Sequence, residues 1–327
     1  MVNLLFVALG LAILVAGGEA TLRGAVGLSK RLGLSPEIIG LSVVGFGTSL
    51  PELVVGVQST LDGRPGFAVG NAIGSNIANS LLVLGAAAMV RPLLCEPRSL
   101  RRDGAAMIAA TVLCVVAGLD GQIAAWQGAI MLGLMAAFVV WSYRQDRKWA
   151  GLAAVLHERK ADAIVALPVS FAAGLISLFS GLGGLVLGAS LLVDGAAAIA
   201  KDLGVPDAIL GLTVVAIGTS LPELAATMIA AWRGHTDVAV ANIIGSNIFN
   251  ILGILGASSL AGHLPFSAEI RHYDIWVLLA STMILFPILI TDWRISRREG
   301  AILLTCYGAY IASLVWRMFQ YGGAAAS

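Results

Sequence analysis

Long runs of apolar residues, separated by short polar segments, recur along the whole chain. Ten runs are read as bilayer-crossing helices, which need about 20 residues each, although the fourth run is short. The predicted spans are residues 3–28, 37–61, 67–89, 104–118, 123–142, 164–199, 208–231, 238–259, 274–291 and 300–319. The sequence lacks the alternating segments of membrane barrels, and helices satisfy their own backbone groups in lipid. The pattern therefore predicts an all-α integral membrane protein with ten transmembrane helices.

The composition supports a membrane protein. Of the 327 residues, 58% are hydrophobic and only 12% are charged, whereas soluble domains carry about a quarter charged residues. The net charge of +1 comes without any basic tract, so no nucleic-acid partner is expected. The first residues lack the positive region of a signal peptide and the apolar run continues beyond Glu19, which favours a retained first helix.

An internal repeat divides the chain. A shift of 171 residues aligns 30–85 with 201–256 without a gap, and both copies contain GTSLPEL and GSNI. Five predicted spans separate the copies, and an odd number of crossings makes the second copy enter the membrane in the opposite sense. The sequence thus predicts two inverted-topology five-helix repeats, 1–143 and 164–327, joined by a cytoplasmic linker at 144–163.

Basic residues indicate the orientation. If both termini lie outside, the inner loops hold Lys30, Arg31, Arg91, Arg98, Arg101, Arg102, Arg144, Arg147, Lys148, Arg159, Lys160, Arg233, Arg294, Arg297 and Arg298. The outer side then keeps only Arg64, Lys201, Arg271 and Arg317. Because cytoplasmic loops carry the excess of Lys and Arg, we expect an N-out, C-out protein of the plasma membrane, the inner membrane of a prokaryote.

Each GTSLPEL copy, at 47–53 and 218–224, sets a proline and a glutamate inside an apolar run. Pro51 and Pro222 cannot donate the helical hydrogen bond to the residue four back, and a freed carbonyl in lipid needs another partner. Glu52 and Glu223 follow directly, and carboxylates at membrane depth usually face a cavity or an ion pathway. With the neighbouring hydroxyls, they form a set of hard oxygen ligands, which suits Ca²⁺.

The second repeated motif supplies amide and hydroxyl oxygens. Two asparagines and a serine are spaced four residues apart in each copy and share one helical face: Asn71, Ser75 and Asn79, then Asn242, Ser246 and Asn250. Neither motif contains His or Cys, which argues against Zn²⁺ or Cu⁺. A purely structural role for such residues is also possible, since Ser and Asn join membrane helices by hydrogen bonds. It does not explain two acids at matched positions.

The paired GTSxPE and GSNIxN motifs in an inverted repeat of five helices resemble the sodium/calcium exchangers of the cation/Ca²⁺ antiporter superfamily, most closely the short prokaryotic members. The resemblance covers essentially the whole chain. It implies a secondary active transporter, not an enzyme, that exchanges Na⁺ for Ca²⁺ by alternating access and carries net charge. It implies that the first and sixth spans slide across the rest, which their Gly- and Ala-rich composition also suits.

The resemblance also implies the ion ligands, with Ca²⁺ and Na⁺ bound as substrates and no cofactor. The residues at the matching positions are Gly45, Thr48, Ser49, Glu52, Ser75, Asn79, Ala216, Thr219, Ser220, Glu223, Ser246 and Asn250. Gly45 departs from the alanine that is common in the family, but its carbonyl can still bind an ion. Asn250 replaces the aspartate of potassium-dependent relatives, which disfavours a K⁺ requirement.

Three alternatives stay open at this point. An H⁺/Ca²⁺ antiporter on the same fold is the nearest, and the GTSLPE pair favours Na⁺ over H⁺ by resemblance. A passive channel and an intramembrane protease with two acids are further away. The expected partners are Ca²⁺, Na⁺ and the lipid bilayer, and the protein is expected to be monomeric. The intramembrane Glu19, Arg23 and Asp194 are expected to form ion pairs or to lie at the interface.

Overall fold

The computed structural model describes residues 2–161, 170–202 and 218–322, and within these ranges the chain is a bundle of helices with four two-residue strands. The α-helices are α1 Val2–Leu32, α2 Pro36–Ile39, α3 Gly45–Thr48, α4 Leu50–Leu61, α5 Pro65–Ala78, α6 Leu84–Val90, α7 Pro97–Asp120, α8 Ala125–Ala161, α9 Phe171–Asp202, α10 Leu221–Trp232, α11 Thr236–Ile248, α12 Gly256–Ala261, α13 Ile275–Asp292 and α14 Arg297–Gly322. Four π-helical segments lie between them: π1 Gly40–Val44, π2 Asn79–Val83, π3 Phe249–Leu255 and π4 Ile270–Asp274.

The described helices confirm an all-helical membrane protein. Seven are long and apolar enough to cross a bilayer, or eight if the bent pair Pro36–Thr48 and Leu50–Leu61 counts as one span. Part of the predicted seventh span, 208–231, lies outside the described residues, and α10 covers only its end. The total of ten spans therefore stays a prediction.

The fifth predicted span is longer than expected. It was predicted to end at residue 142, but α8 continues to Ala161. The extension consists mainly of Ala, Leu, Arg, Lys, Glu and Gln, which are good helix formers. Most of the predicted linker, 144–163, is therefore helical, while its role as a boundary between two domains stays a prediction.

The two GTSLPEL motifs break their helices as predicted. At Ser49 the backbone leaves helical geometry (φ −86°, ψ 7°), and α4 begins with Pro51 near its start, bent by 42° from the preceding segment. Ser220 has nearly the same backbone angles (φ −86°, ψ 0°) before α10, which carries Pro222 in its first turn. Proline is tolerated in a first turn because its missing N–H has no helical partner there.

The π-helical segments were not predicted. π3 begins at Phe249, directly after the second GSNI motif, and includes Asn250, while π2 begins at Asn79, one residue beyond the first GSNI motif. Each π turn inserts an extra residue and rotates the following side chains relative to an α-helix, a feature found frequently at functional sites. The spacing of four in the sequence therefore describes only the α-helical part of each motif.

The two glycine-rich helices pack tightly against each other. Gly17 and Gly24 of α1 are so close to α9 that a Cβ would lie 2.8 Å from the Leu185 nitrogen and 2.5 Å from the Leu178 nitrogen, respectively. Gly188 of α9 similarly faces the Leu14 nitrogen at 2.7 Å. The small residues thus allow close contact between α1 and α9, while the sliding of these helices across the rest of the bundle stays a prediction.

The short strands join loops at the two ends of the bundle. β1 (Leu93–Leu94) pairs antiparallel with β4 (Arg294–Ile295), and β2 (Gln122–Ile123) pairs antiparallel with β3 (Leu264–Pro265). At the centre lies the span formed by α11, π3 and α12, whose most apolar 18-residue stretch is entirely buried, while Leu260 at its end is exposed. The motif residues thus lie in the interior of the bundle.

Candidate cation-binding centre

Two glutamates lie at the centre of this interior. Glu52 and Glu223 occupy the first turns of α4 and α10, directly after the two helix breaks, and neither is exposed (0% each). The two carboxylates are near enough to interact electrostatically. A negative charge is favoured at a helix N-terminus by the helix dipole, but two buried acids still require further compensation.

One direct contact crosses between the two motifs. The Ser49 hydroxyl donates a hydrogen bond of 2.7 Å to Oε1 of Glu223. Within the described part of the chain, both carboxylate oxygens of Glu52, Oε2 of Glu223 and Oγ of Ser220 have no hydrogen-bond partner. A buried polar atom without a partner costs about 1–3 kcal/mol. This cluster of oxygens therefore needs cations or protons to be stable.

The Gly45 carbonyl is part of the same cluster. It accepts hydrogen bonds from the hydroxyls of Ser246, at 3.0 Å, and Thr48, at 3.3 Å. A Cβ on Gly45 would lie 2.9 Å from the Asn242 carbonyl oxygen. The close approach of α11 therefore explains glycine at this position.

The amides of the second motif surround the glutamates. Asn79 is buried, and its amide oxygen and nitrogen both lack partners among the described residues. Asn71 donates to the backbone carbonyl of Glu52 at 3.4 Å, and Asn242 donates to the Thr227 hydroxyl at 2.9 Å. Asn71 and Asn242 thus join helices through their amide nitrogens, while the amide oxygens of Asn79 and Asn242 have no partner among the described residues and are available to a ligand.

Two asparagines in the centre were missed by the sequence reasoning. Asn250 donates to Oδ1 of Asn76 at 2.9 Å, Asn76 donates to the Asn247 carbonyl at 3.0 Å, and Asn247 donates to the Ser80 hydroxyl at 2.9 Å. Asn76 and Asn247 are the asparagines of the two GSNI motifs, and their identity in both copies was the available signal. They lie off the face defined by a spacing of four, so α-helical periodicity excluded them.

Most of the predicted ligands are therefore buried within one region of the bundle. Those buried are Gly45, Thr48, Ser49, Glu52, Ser75, Asn79, Ser220, Glu223, Ser246 and Asn250. Thr219 is half-buried, and Ala216 lies outside the described residues. The assignment of these residues as ion ligands stays a prediction.

The charge at the centre comes from the glutamates. In the ranges that the structure describes, no three His, Cys, Asp or Glu side chains form a group that could hold a metal ion. Neutral hydroxyl, amide and carbonyl oxygens make up the remainder, which suits hard cations. Buried acids within an apolar helical bundle are typical of proteins that move ions across membranes.

Comparison with known proteins identifies the family. The family model described as sodium/calcium exchanger protein matches residues 2–144 and 173–316. The putative antiporter CaxA of Alkalimonas amylolytica is 37% identical over 313 residues, which covers 95% of this chain and 98% of that protein. The sodium/calcium exchanger MaX1 of Methanosarcina acetivorans is 32% identical over 346 residues, with coverage of 96% and 99%.

The fold agrees with that result. A solved structure of the sodium-calcium exchanger NCX_Mj, soaked with zero Na⁺ and Ca²⁺, matches with a TM-score of 0.83 and 31% identity over 95% of this chain and 98% of that one. The chain belongs to the sodium/calcium exchanger protein family. This family consists of membrane transporters and not of enzymes, and the chain is a cation/Ca²⁺ antiporter.

Proposed function

We propose that this protein exchanges Na⁺ for Ca²⁺ across the membrane by alternating access. The observation that carries the proposal is the pair of buried glutamates, Glu52 and Glu223, with three of their four oxygens unpartnered in the described chain. Two carboxylates balance the charge of one Ca²⁺ or of two Na⁺. Since both ions use the same oxygens, Na⁺ and Ca²⁺ compete for one site. When the site binds one kind of ion on one side of the membrane and the other kind on the opposite side, the two ions move in opposite directions and their movements are coupled.

The proposed ligands are the twelve residues at the matching family positions. Asn76, which accepts a hydrogen bond from Asn250, and Asn247, whose backbone carbonyl accepts one from Asn76, are added as residues that position the amide ligands. If a third Na⁺ binds at the centre, as the family resemblance implies, the form loaded with Na⁺ carries one more positive charge than the form loaded with Ca²⁺. The exchange is then electrogenic, and an imposed membrane potential changes its rate.

The inverted repeat is supported by contacts between equivalent positions. Thr111 and Thr282 hydrogen-bond through their hydroxyls at 3.3 Å, and Asn76 contacts Asn247 at 3.0 Å. In each pair the two residues are 171 positions apart, which is the same shift that aligns the repeated motifs. Contacts between equivalent residues are expected along a twofold axis that relates two inverted halves.

The proposed order of the ten crossings is supported by the strand pairs, and the basic residues give its N-out, C-out direction. β1 and β4 lie in loops that the basic residues assign to the inside, and β2 and β3 lie in loops assigned to the outside. The inner loops are further joined by Thr236, whose hydroxyl bonds the Leu94 backbone. Each contact therefore joins loops on the same side.

Cysteine labelling tests this orientation. In a chain whose native cysteines (Cys95, Cys114 and Cys306) are replaced by serine, a membrane-impermeant maleimide is expected to label His263→Cys in intact cells. His235→Cys should react only after the membrane is opened, because the loop at 233–235 faces the cytoplasm. The reverse pattern, or labelling of both in intact cells, contradicts the proposed topology.

The moving part is proposed to be the pair α1 and α9. Besides its tight contact with α9, α1 meets the end of α10 through Glu19, which accepts a hydrogen bond of 2.8 Å from Arg233 and one of 2.9 Å from Arg23. The pairing of Glu19 with Arg23 agrees with the expected ion pair. A sliding movement of α1 would have to break the contact with Arg233.

Independent ion gradients test the coupling. In proteoliposomes of the purified protein with equal pH on both sides, an outward Na⁺ gradient is expected to drive ⁴⁵Ca²⁺ uptake, and K⁺ should not be required. The physical reason is that Na⁺ and Ca²⁺ compete for the same oxygen ligands at the centre. Liposomes without protein serve as the control.

Other outcomes select other mechanisms. Uptake that follows a pH gradient but not a Na⁺ gradient would favour an H⁺/Ca²⁺ antiporter on the same fold. Calcium flux that is independent of any opposite ion would indicate a passive channel. Either result would overturn the proposed sodium coupling.

A further inference from the structure

An acidic cavity lies apart from the central glutamates, at the end of the bundle proposed to face the cytoplasm. It has a volume of about 20 Å³ and is lined in part by four acids, Glu37, Glu96, Asp103 and Asp237. A cavity needs about 10–15 Å³ of such volume to hold one water molecule. The cavity therefore has room for one water-sized ligand, and the exposed Glu96 lines it where it reaches the surface.

Glu37 is the member that requires a ligand. The residue is only 5% exposed, and within the described chain its Oε2 atom has no hydrogen-bond partner. Asp237 and Asp146 are close enough to repel it. A buried charge surrounded by like charges is unfavourable unless a cation or a proton neutralises it.

The nearby groups give little compensation. Arg102 already forms two hydrogen bonds with Asp103, of 2.6 Å and 2.8 Å, so this pair is neutral as a unit. Asp146 accepts from the Ser35 backbone N–H at 2.9 Å, and Asp237 accepts from the Val238 N–H at 2.9 Å. These bonds bind both carboxylates without neutralising their charges.

We propose that this cavity binds one divalent cation, Ca²⁺, between Glu37 of α2 and Asp237 of α11, as a site separate from the Glu52 and Glu223 centre. Among the described residues no three acids converge as in a closed chelate. The ion itself therefore occupies the cavity and completes its oxygen ligands with water at the surface opening beside Glu96, as hard cations commonly do. Gly40, which follows α2 directly, lies close to Val238 of α11, and a Cβ on Gly40 would be only 3.1 Å from the Val238 carbonyl oxygen. The ion thus bridges α2 to α11.

Calorimetry on the full chain with the central site disabled tests this proposal. A Glu52→Gln, Glu223→Gln double variant is titrated in detergent with CaCl₂, and one bound Ca²⁺ per protein is expected. Adding Glu37→Gln or Asp237→Asn is expected to weaken this binding about tenfold or more, because affinity depends on the number of charged ligands. Since the double variant lacks both central glutamates, the result does not depend on the proposed exchange.

Glu269→Gln is the matched control, since Glu269 lies outside the cavity lining, directly before π4. It is expected to leave the calcium binding unchanged, and titrations with NaCl and MgCl₂ should show weaker binding. Should Glu37→Gln fail to fold, as judged by thermal unfolding, Asp237→Asn carries the test. Absence of binding at about 1 mM Ca²⁺, the weak end of protein sites, overturns the proposal. Binding that both substitutions leave unchanged overturns it as well.

Discussion

Replacing Glu52 or Glu223 by glutamine is expected to abolish Na⁺-dependent ⁴⁵Ca²⁺ uptake in vesicles. Each substitution removes one of the two charges at the fully buried centre while keeping the shape of the side chain. A unit charge about 4 Å away at an effective dielectric constant near 20 contributes about 4 kcal/mol, roughly a thousandfold in affinity for even a monovalent ion. Calcium, with twice the charge, should lose more, and uptake should fall to the level of empty vesicles.

The glutamine variants should still fold. Each removes a buried carboxylate with unpartnered oxygens, so the temperature of unfolding is expected to stay the same or rise. Glu269→Gln, which changes a carboxylate outside the centre, should retain full uptake. If both Glu52→Gln and Glu223→Gln keep their uptake, the assignment of the centre is wrong.

Gly181→Ala in α9 is expected to destabilise the protein strongly. The new Cβ would collide with the backbone nitrogen and the hydroxyl of Thr21 in α1. Overpacking in a filled interior usually costs about 1–3 kcal/mol, and here the obstacle includes backbone, which cannot turn away. Thermal unfolding of the purified protein in detergent measures the loss.

A second glycine in the same helix gives the control. Gly183 is exposed, and a Cβ there would meet no atom within 4 Å. Gly183→Ala should therefore be neutral or slightly stabilising, since alanine favours a helix by about 1 kcal/mol over glycine. Equal stability of the Gly181→Ala and Gly183→Ala variants would show that the contact between α1 and α9 is loose.

The broken helices illustrate what could be predicted locally. Pro51 and Pro222 lack the N–H that continues a helix, and this property is independent of the rest of the fold. The break at Ser49 and its counterpart at Ser220 follow directly. The π turns at Asn79 and Asn250 could not be predicted in this way, because they depend on packing in the centre of the bundle.

Contacts between distant residues were equally out of reach. The spacing of four selected Ser75 and Asn79 but excluded Asn76, whose neighbour Asn247 is 171 residues away. The glycine content of α1 and α9 was visible, but not that these glycines face each other across the two helices. The cavity at Glu37 combines residues from several helices, and its acids have no common motif.

The sequence by itself determined the chemistry and the environment of this protein. Long apolar runs require helices because lipid offers no hydrogen bonds to the backbone, and repeated acids within them require cations or protons as partners. The tertiary structure decided which oxygens meet, such as the Ser49 hydroxyl with Glu223 and Ser246 with the Gly45 carbonyl. Such pairings depend on how closely helices approach and how far π turns rotate their side chains, and neither is encoded in the spacing along one helix.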